Sequence, residues 1–320
     1  MKKIIYILII ITSTSCENKF TINWDGLSNT TINYTEEKKY KSWYLNGKIK
    51  HDQNYENGLK EGVSKKYDKN GELIYEASYK KGIKDGIFKE YENGKLISLK
   101  YYKNNKKNGA YKNFHNNGKL AYKVFFKEGI KDGEVKKFHF NGKLYYTGVY
   151  INGYKEGLFQ KWYENGQISD KKSYIKSHWH GPWEKWHEDG KRYSYTDYTH
   201  GKKDGEYKKW YKNGMLEYTG FYKNNLKNGK WIKYDDQGNL VSNIFYKNDK
   251  RNGSAVEWYN NGQMKYETRY YNGIKHGEIK KYYTNGSMQY EGAYQNGNKN
   301  GIWKKYNKQG DIISSKSYKN

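Results

Sequence analysis

One glycine recurs at a fixed interval along nearly the whole chain: Gly47, Gly71, Gly94, Gly118, Gly142, Gly166, Gly190, Gly214, Gly238, Gly262, Gly286 and Gly310, spaced by 24 residues with a single spacing of 23. Such self-similarity dictates a stacked-repeat architecture, because a unit this short cannot bury an apolar face alone. The short unit loses its residue in a turn, where Tyr91-Glu92-Asn93-Gly94 stands against Tyr67-Asp68-Lys69-Asn70-Gly71. A loss inside a strand would flip every later side chain to the other face.

Each repeat is counted from its glycine as position 0. Position 8 is always Tyr or Phe, from Tyr55 and Tyr79 to Tyr318, position 4 is often Tyr, and position 2 is apolar except at Arg192. Equal parity predicts an A strand with positions 2, 4 and 8 on one side. Position 15 is Gly from Gly62 to Gly301, position 20 is always aromatic, and position 17 is often large, as in Phe88, Phe159, Trp183, Trp231 and Trp303. This is a B strand, and the differing parity of 17 and 20 implies a bulge or a strand end between them. Position 11 is Gly seven times and otherwise Asn105, Asn225, Asp249 or Ser177. Gly, Asn and Asp tolerate positive φ, and the closing Asn-Gly is a strong hairpin signal. The expected fold is all-β: an elongated single-layer antiparallel meander of about 11 β-hairpin repeats of 24 residues, a solenoid over 41–320. Its 22 or so strands would run on the order of 100 Å at roughly 4.8 Å per strand.

Composition agrees. Apolar residues make up 35% and mean hydropathy is −1.24, values typical of disorder, yet aromatics reach 18% with 38 Tyr and 10 Trp. Folding must therefore be driven by aromatic faces. The net charge of +26 favours anionic partners, although a chain this rich in Lys, Asn, Ile and Tyr also fits AT-rich coding.

Residues 1–16 read as an export signal: Met1-Lys2-Lys3, an apolar run over Ile4–Ile11, then Thr12-Ser13-Thr14-Ser15-Cys16. The run is about half of what spans a bilayer. Cys16 is the only cysteine, so it forms no internal disulfide. The segment resembles bacterial lipoprotein signals, with Ser13 where that pattern has Leu. The resemblance implies acylation of Cys16, an exported protein held by lipid at the cell envelope or cell surface. A cytoplasmic chain is the alternative. Residues 17–40 are polar and read as a tether leading into an N-terminal cap.

The recurrent unit, as in Tyr150-Ile-Asn-Gly153-Tyr-Lys-Glu-Gly157-Leu-Phe-Gln-Lys-Trp162-Tyr-Glu-Asn165-Gly166, resembles the MORN repeat in its bacterial variant. The resemblance implies scaffolding, membrane-lipid or membrane-junction roles, and bacterial members are often classed as antitoxins of toxin–antitoxin pairs. A cytosolic antitoxin needs no export signal.

Position 13 is basic in ten repeats (Lys60, Lys84, Lys107, Lys131, Lys155, Lys203, Lys227, Arg251, Lys275 and Lys299), a row about 10 Å apart in one turn class that suits an extended polyanion. Solvated turn lysines without a ligand are the plainer reading. Position 14 is acidic at Glu61, Asp85, Asp132, Glu156 and Asp204 but Asn or His from Asn228 onward, which predicts stronger polyanion binding by 215–310 than by 47–166. Four of the eight histidines, His178, His180, His187 and His200, fall within one divergent repeat, but without a cysteine or carboxylate set they make no metal site. No phosphate loop and no Ser/His/Asp or Cys/His arrangement stands out from the repeat background. The reading is a non-catalytic, cofactor-free exported lipoprotein that binds a protein or polyanion. The alternatives are an antitoxin or immunity protein that binds a toxin, and a peripheral membrane-lipid binder. Basic-plus-aromatic composition also suits nucleic acid, but here the aromatics sit at core positions and export argues against it.

Overall fold

The computed structural model describes residues 18–24, 28–34 and 39–319, with side chains from 39 onward. The expected signal and Cys16 lie outside the described residues. Every regular element among the described residues is a β-strand, and the pairings are antiparallel, as where Arg192–Thr199 pairs with His178–Trp186 before it and Lys202–Trp210 after it. Strands Asn18–Trp24 and Ser28–Tyr34 pair with each other, and the second continues onto Lys39–Trp43. The polar stretch before the repeats thus carries paired strands. The chain divides into two compact bodies, Met1–Tyr154 and Lys155–Asn320. In each, A strands such as Leu120–Lys127 and Leu240–Lys247 alternate with B strands such as Ile130–Phe138 and Lys250–Trp258.

Two kinds of turn join them. Positions 10 and 11 form two-residue turns with positive φ at both residues, as at Asn224-Asn225 (51° and 71°) and Asn248-Asp249 (50° and 62°). Their twist matches that of the flanking strands. The closing Asn-Gly is a different device. Gly166 donates to the Tyr163 carbonyl and Tyr163 N–H donates to Gln167, so Gly166 sits in the left-handed region of a longer bulged turn. The 23-residue unit shows the conversion between them: with one residue fewer, Asn93-Gly94 has positive φ at both positions and Glu92 pairs with Lys95. The deletion is absorbed by switching turn type, and no strand changes register.

Two bulges decide which side chains share a face. In the hairpin of Arg192–Thr199 and Lys202–Trp210, Thr196 pairs with Tyr207 and Tyr198 with Lys203, so three B-strand residues oppose Asp197 alone. Position 15, Gly205 here, lies within this bulge at φ 126°, and a Cβ there would come within 2.7 Å of the Asp197 Cβ. The second bulge is on the A strand and not between positions 17 and 20 of the B strand, which alternate without a break. Lys185 pairs with Ser194 but Trp186 with Arg192, skipping Tyr193. Residues directly opposite share a face, and strand neighbours do not. Position 2 therefore faces with the position 20 aromatic, away from positions 4, 6 and 8. The equal-parity expectation for positions 2 and 8 fails because one bulged residue intervenes.

The most buried row is built from positions 6 and 17. It contains Ala77, Val124, Val135, Phe159, Trp231, Ile244, Ala255, Ile279 and Trp303, each at most 8% exposed. Opposed residues match in size: Ala77 with Phe88, Val124 with Val135, Ile244 with Ala255. At Gly220 and Gly292 any Cβ would overlap the rings of Trp231 and Trp303. Gly220→Ala should destabilise the C-terminal body by about 1–3 kcal/mol, the cost of overpacking. Adding Trp231→Ala should cancel that increment, so that the double variant is no less stable than Trp231→Ala alone. Denaturation of the three variants measures it, and additive losses would refute the size coupling.

Candidate functional site

Position 13 is not a turn residue. It lies one residue into the B strand and pairs with position 8, as Lys131 does with Phe126 and Lys203 with Tyr198. Its side chain therefore lies on the aromatic face, and all ten cations of the row stack on rings. In the N-terminal body Lys60 lies 4.9 Å from the Tyr79 centroid, Lys84 5.0 and 5.2 Å from Phe88 and Tyr102, Lys107 5.2 and 5.1 Å from Tyr111 and Phe126, and Lys131 5.1 Å from Tyr150. In the C-terminal body Lys155 covers Phe159 and Tyr174, Lys203 covers Tyr222, Lys227 covers Trp231 and Tyr246, Arg251 covers Tyr270, Lys275 covers Tyr294, and Lys299 covers Trp303 and Tyr318. Nine of the ten are half-buried and Lys299 is exposed. Burial pulls the Lys155 ammonium below its usual value. A second set at position 19 repeats the motif on position 4, with Lys233 over Tyr218 and Lys281 over Tyr290.

The backbone of position 13 also ties repeats together. Its carbonyl accepts the position 11 N–H of the next repeat, as in Gly129 to Lys107 (2.8 Å) and Asn225 to Lys203 (2.8 Å). Where position 11 is not Gly, its side chain returns the bond: Lys84, Lys155, Lys203 and Lys227 N–H donate to Asn105, Ser177, Asn225 and Asp249. Position 14 does similar work, with Glu61 and Glu156 accepting the N–H of Lys81 and Lys176, and Asn252 that of Asn272. The Asp/Glu-to-Asn change there keeps an acceptor for the next turn.

The exposed cations lie elsewhere. In the C-terminal body the two-residue turns and their flanks carry Lys176, Lys202, Lys223, Lys247 and Lys250, all exposed, against one acid, Asp249. The same edge exposes Ile175, Leu226, Tyr271 and Ile274. The closing turns of that body carry six acids (Glu164, Glu188, Asp189, Asp235, Asp236 and Asp311) and three lysines (Lys191, Lys212 and Lys308). The body is therefore electrically polarised from one set of turns to the other. In the N-terminal body the closing turns are themselves basic, and Lys48, Lys95 and Lys119 use their ammonium groups to bond carbonyls of the next closing turn. Sequence reasoning passed over the five exposed lysines because they occupy positions 9, 10 and 12 irregularly.

The histidines do not converge. His180 and His200 rings lie 5.6 Å apart, His187 packs edge-on against Tyr193, and His178 Nδ1 is 3.0 Å from the Lys176 carbonyl. Among the described residues no group of three His, Cys, Asp or Glu side chains could hold a metal ion. Among them no helix is long and apolar enough to cross a membrane.

The family model for the MORN repeat variant matches eleven stretches: 36–57, 60–81, 84–104, 107–128, 131–152, 155–176, 203–224, 227–248, 251–272, 275–296 and 299–320. It starts ahead of residue 41 and passes over 177–202, the repeat with the histidines. No curated protein matches the chain. Among solved structures the crystal structure of TcdB2-TccC3 is similar over 94% of this chain at 11% identity, with a TM-score of 0.19; the chain spans 18% of the length of that one.

The aromatic face predicts an alkaline limit. Burial, with Tyr222 beside it, pushes the Tyr207 hydroxyl up to about 12 from an ordinary value of 10.0. A folded-state value raised above the unfolded one gives stability that is whole below about pH 10 and is lost as pH rises towards 12. Tyr207→Phe should flatten that part of the stability-versus-pH curve. An unchanged slope in alkaline denaturation would show that the hydroxyl is not desolvated.

Proposed function

Since this chain belongs to the MORN repeat variant family, we propose that it is a non-catalytic, exported lipoprotein, anchored through Cys16, whose repeats bind an anionic polymer or an acidic protein at the cell envelope. Repeats of this family are binding modules, and here they form a scaffold of antiparallel hairpins. The observation that carries the reading is the polarised C-terminal body: exposed lysines interleaved with exposed apolar side chains on the two-residue turns, and acids on the closing turns. A charged edge of this kind attracts an extended polyanion, with strength that falls as salt rises. Met1-Lys2-Lys3, the short apolar run and Cys16 support export and acylation.

A second reading, a toxin-binding antitoxin or immunity protein, draws support from Phe221 and Phe245 in the C-terminal body. These are apolar side chains 38–53% exposed at position 7, a feature suited to a protein interface. A peripheral lipid binder would use Leu226, Tyr271 and Ile274 at the turn tips together with the neighbouring lysines.

Two experiments test this. Metabolic lipid labelling with membrane fractionation should mark the native chain and not Cys16→Ala; a native chain that is unlabelled and cytosolic removes the lipoprotein reading and favours the toxin-binding one. Heparin binding separates the two sets of cations. Lys250→Ala should weaken binding and reduce its salt dependence with little change in stability. Lys227→Ala should destabilise by about 0.5–2 kcal/mol, the worth of a cation–π contact, and leave heparin affinity nearly unchanged. The opposite pattern would return the polyanion site to the row at position 13.

A further inference from the structure

The repeat that the family match passes over is also the one that interrupts the basic row: position 13 is Trp179. Its backbone role is kept. The Trp179 carbonyl accepts the Gly201 N–H at 2.8 Å, as those of Lys155 and Lys203 accept Ser177 and Asn225. Only the side chain differs: an indole stands in place of the ammonium, and the Lys172 ammonium lies 5.4 Å from its centroid. The indole is half-buried and braced, with its centroid 5.2 Å from Trp183 and 5.1 Å from Tyr198. Trp183 is itself fixed: its Nε1–H donates to Asp170 at 3.0 Å and the Lys172 ammonium lies 4.0 Å from its ring centroid. Along the row, Lys155 and Lys203 stand one repeat to either side of Trp179, two strands or about 10 Å away. The exposed Lys176 and Lys202 lie beside it on the turns.

A fixed ring with exposed cations beside it suits a chain that alternates ring faces with negative charge. We infer that this repeat is a subsite for an acidic polysaccharide of the polyuronate type, with the C–H face of one pyranose ring on Trp179 and carboxylates of neighbouring sugars reaching the exposed Lys176 and Lys202. This rests on the polyanion-binding, exported reading above. A phosphate polymer supplies the charge but no ring, so it gains nothing from an indole that displaces a cation. A nucleic acid supplies both, and export of the chain removes it from the main pool of nucleic acid.

The test uses residues 17–320, which keep every described residue, with polygalacturonate oligomers, polyphosphate and single-stranded oligo-dT as probes. Binding is read by tryptophan fluorescence and calorimetry, and folding by circular dichroism. Polygalacturonate should bind more tightly than polyphosphate of equal charge. Trp179→Ala should lower its affinity roughly tenfold, the size of one ring-stacking contact, Trp179→Tyr should keep most of it, and polyphosphate affinity should not fall. Trp179→Lys, which removes the ring, should lose the preference for polygalacturonate. If polygalacturonate binds equally well to folded Trp179→Ala, or if oligo-dT is the tightest ligand, the subsite assignment is overturned while polyanion binding stands. If no probe binds, the polyanion reading fails with it.

Discussion

A half-buried ammonium lying on an aromatic ring is the interaction on which this structure depends. A sheet without a second layer has nothing to pack its face against, so each repeat must cover its own apolar surface with side chains laid flat. Tyrosine does this with a ring that keeps its hydroxyl wet, and lysine with a long apolar stem that carries its charge outward. Position 13 pairs with position 8 and reaches over position 17, so one lysine seals rings of two successive repeats, as Lys227 does over Trp231 and Tyr246. Each contact is worth about 0.5–2 kcal/mol, but it recurs at the repeat period. A composition that would otherwise suggest disorder can fold because its cations serve as part of the core.

The turns supply the other half of the stacking. The two-residue turns bond to the backbone of position 13, and the closing turns are linked by side chains: the Tyr163 and Tyr259 hydroxyls donate to the Trp186 and Tyr282 carbonyls, and the Asn213 and Asn261 amides to those of Asp236 and Thr284. All of these partners lie one repeat apart, so the bonds form only when neighbours are in register. The Asn of a closing Asn-Gly such as Asn46-Gly47 or Asn213-Gly214 therefore has a duty that hairpin formation alone does not explain. It shapes its own turn through Oδ1 and holds the next through Nδ2, as Asn46 does for Lys48 and Lys69.

Much of this was legible in the residues. The period, the two strands and the glycine at position 15 follow from parity and from residues that tolerate positive φ, whereas the bulge expected between 17 and 20 lies on the opposing A strand. The facing of position 2 did not follow, because counting parity assumes unbroken pairing, and Tyr193 and its equivalents are skipped. The size coupling between positions 6 and 17 was invisible because each position is irregular by itself. Only the pairing of Ile244 with Ala255, or of Gly220 beneath Trp231, makes the irregularity complementary. The basic row was visible, but its environment was not. Lysine after a turn glycine looks solvated until position 8 is known to lie opposite.

That last difference changes where function should be sought. A net charge of +26 looks like one uniform property, yet the structure divides it into cations that cover rings and cations that do not. The first kind is bound to the repeat period, because the core repeats; the second is free to vary, because nothing in the fold requires Lys176 or Lys247 at its turn. In a repeat protein the regular positions report the fold, and irregular exposed ones report what a particular array has been adapted to meet. Trp179 belongs to both classes: it sits at a regular position, preserves the backbone bond of that position, and gives up the charge that ten other repeats retain. A substitution that keeps the scaffold intact while exchanging an ammonium for a ring has its clearest physical effect on what can lie against that surface.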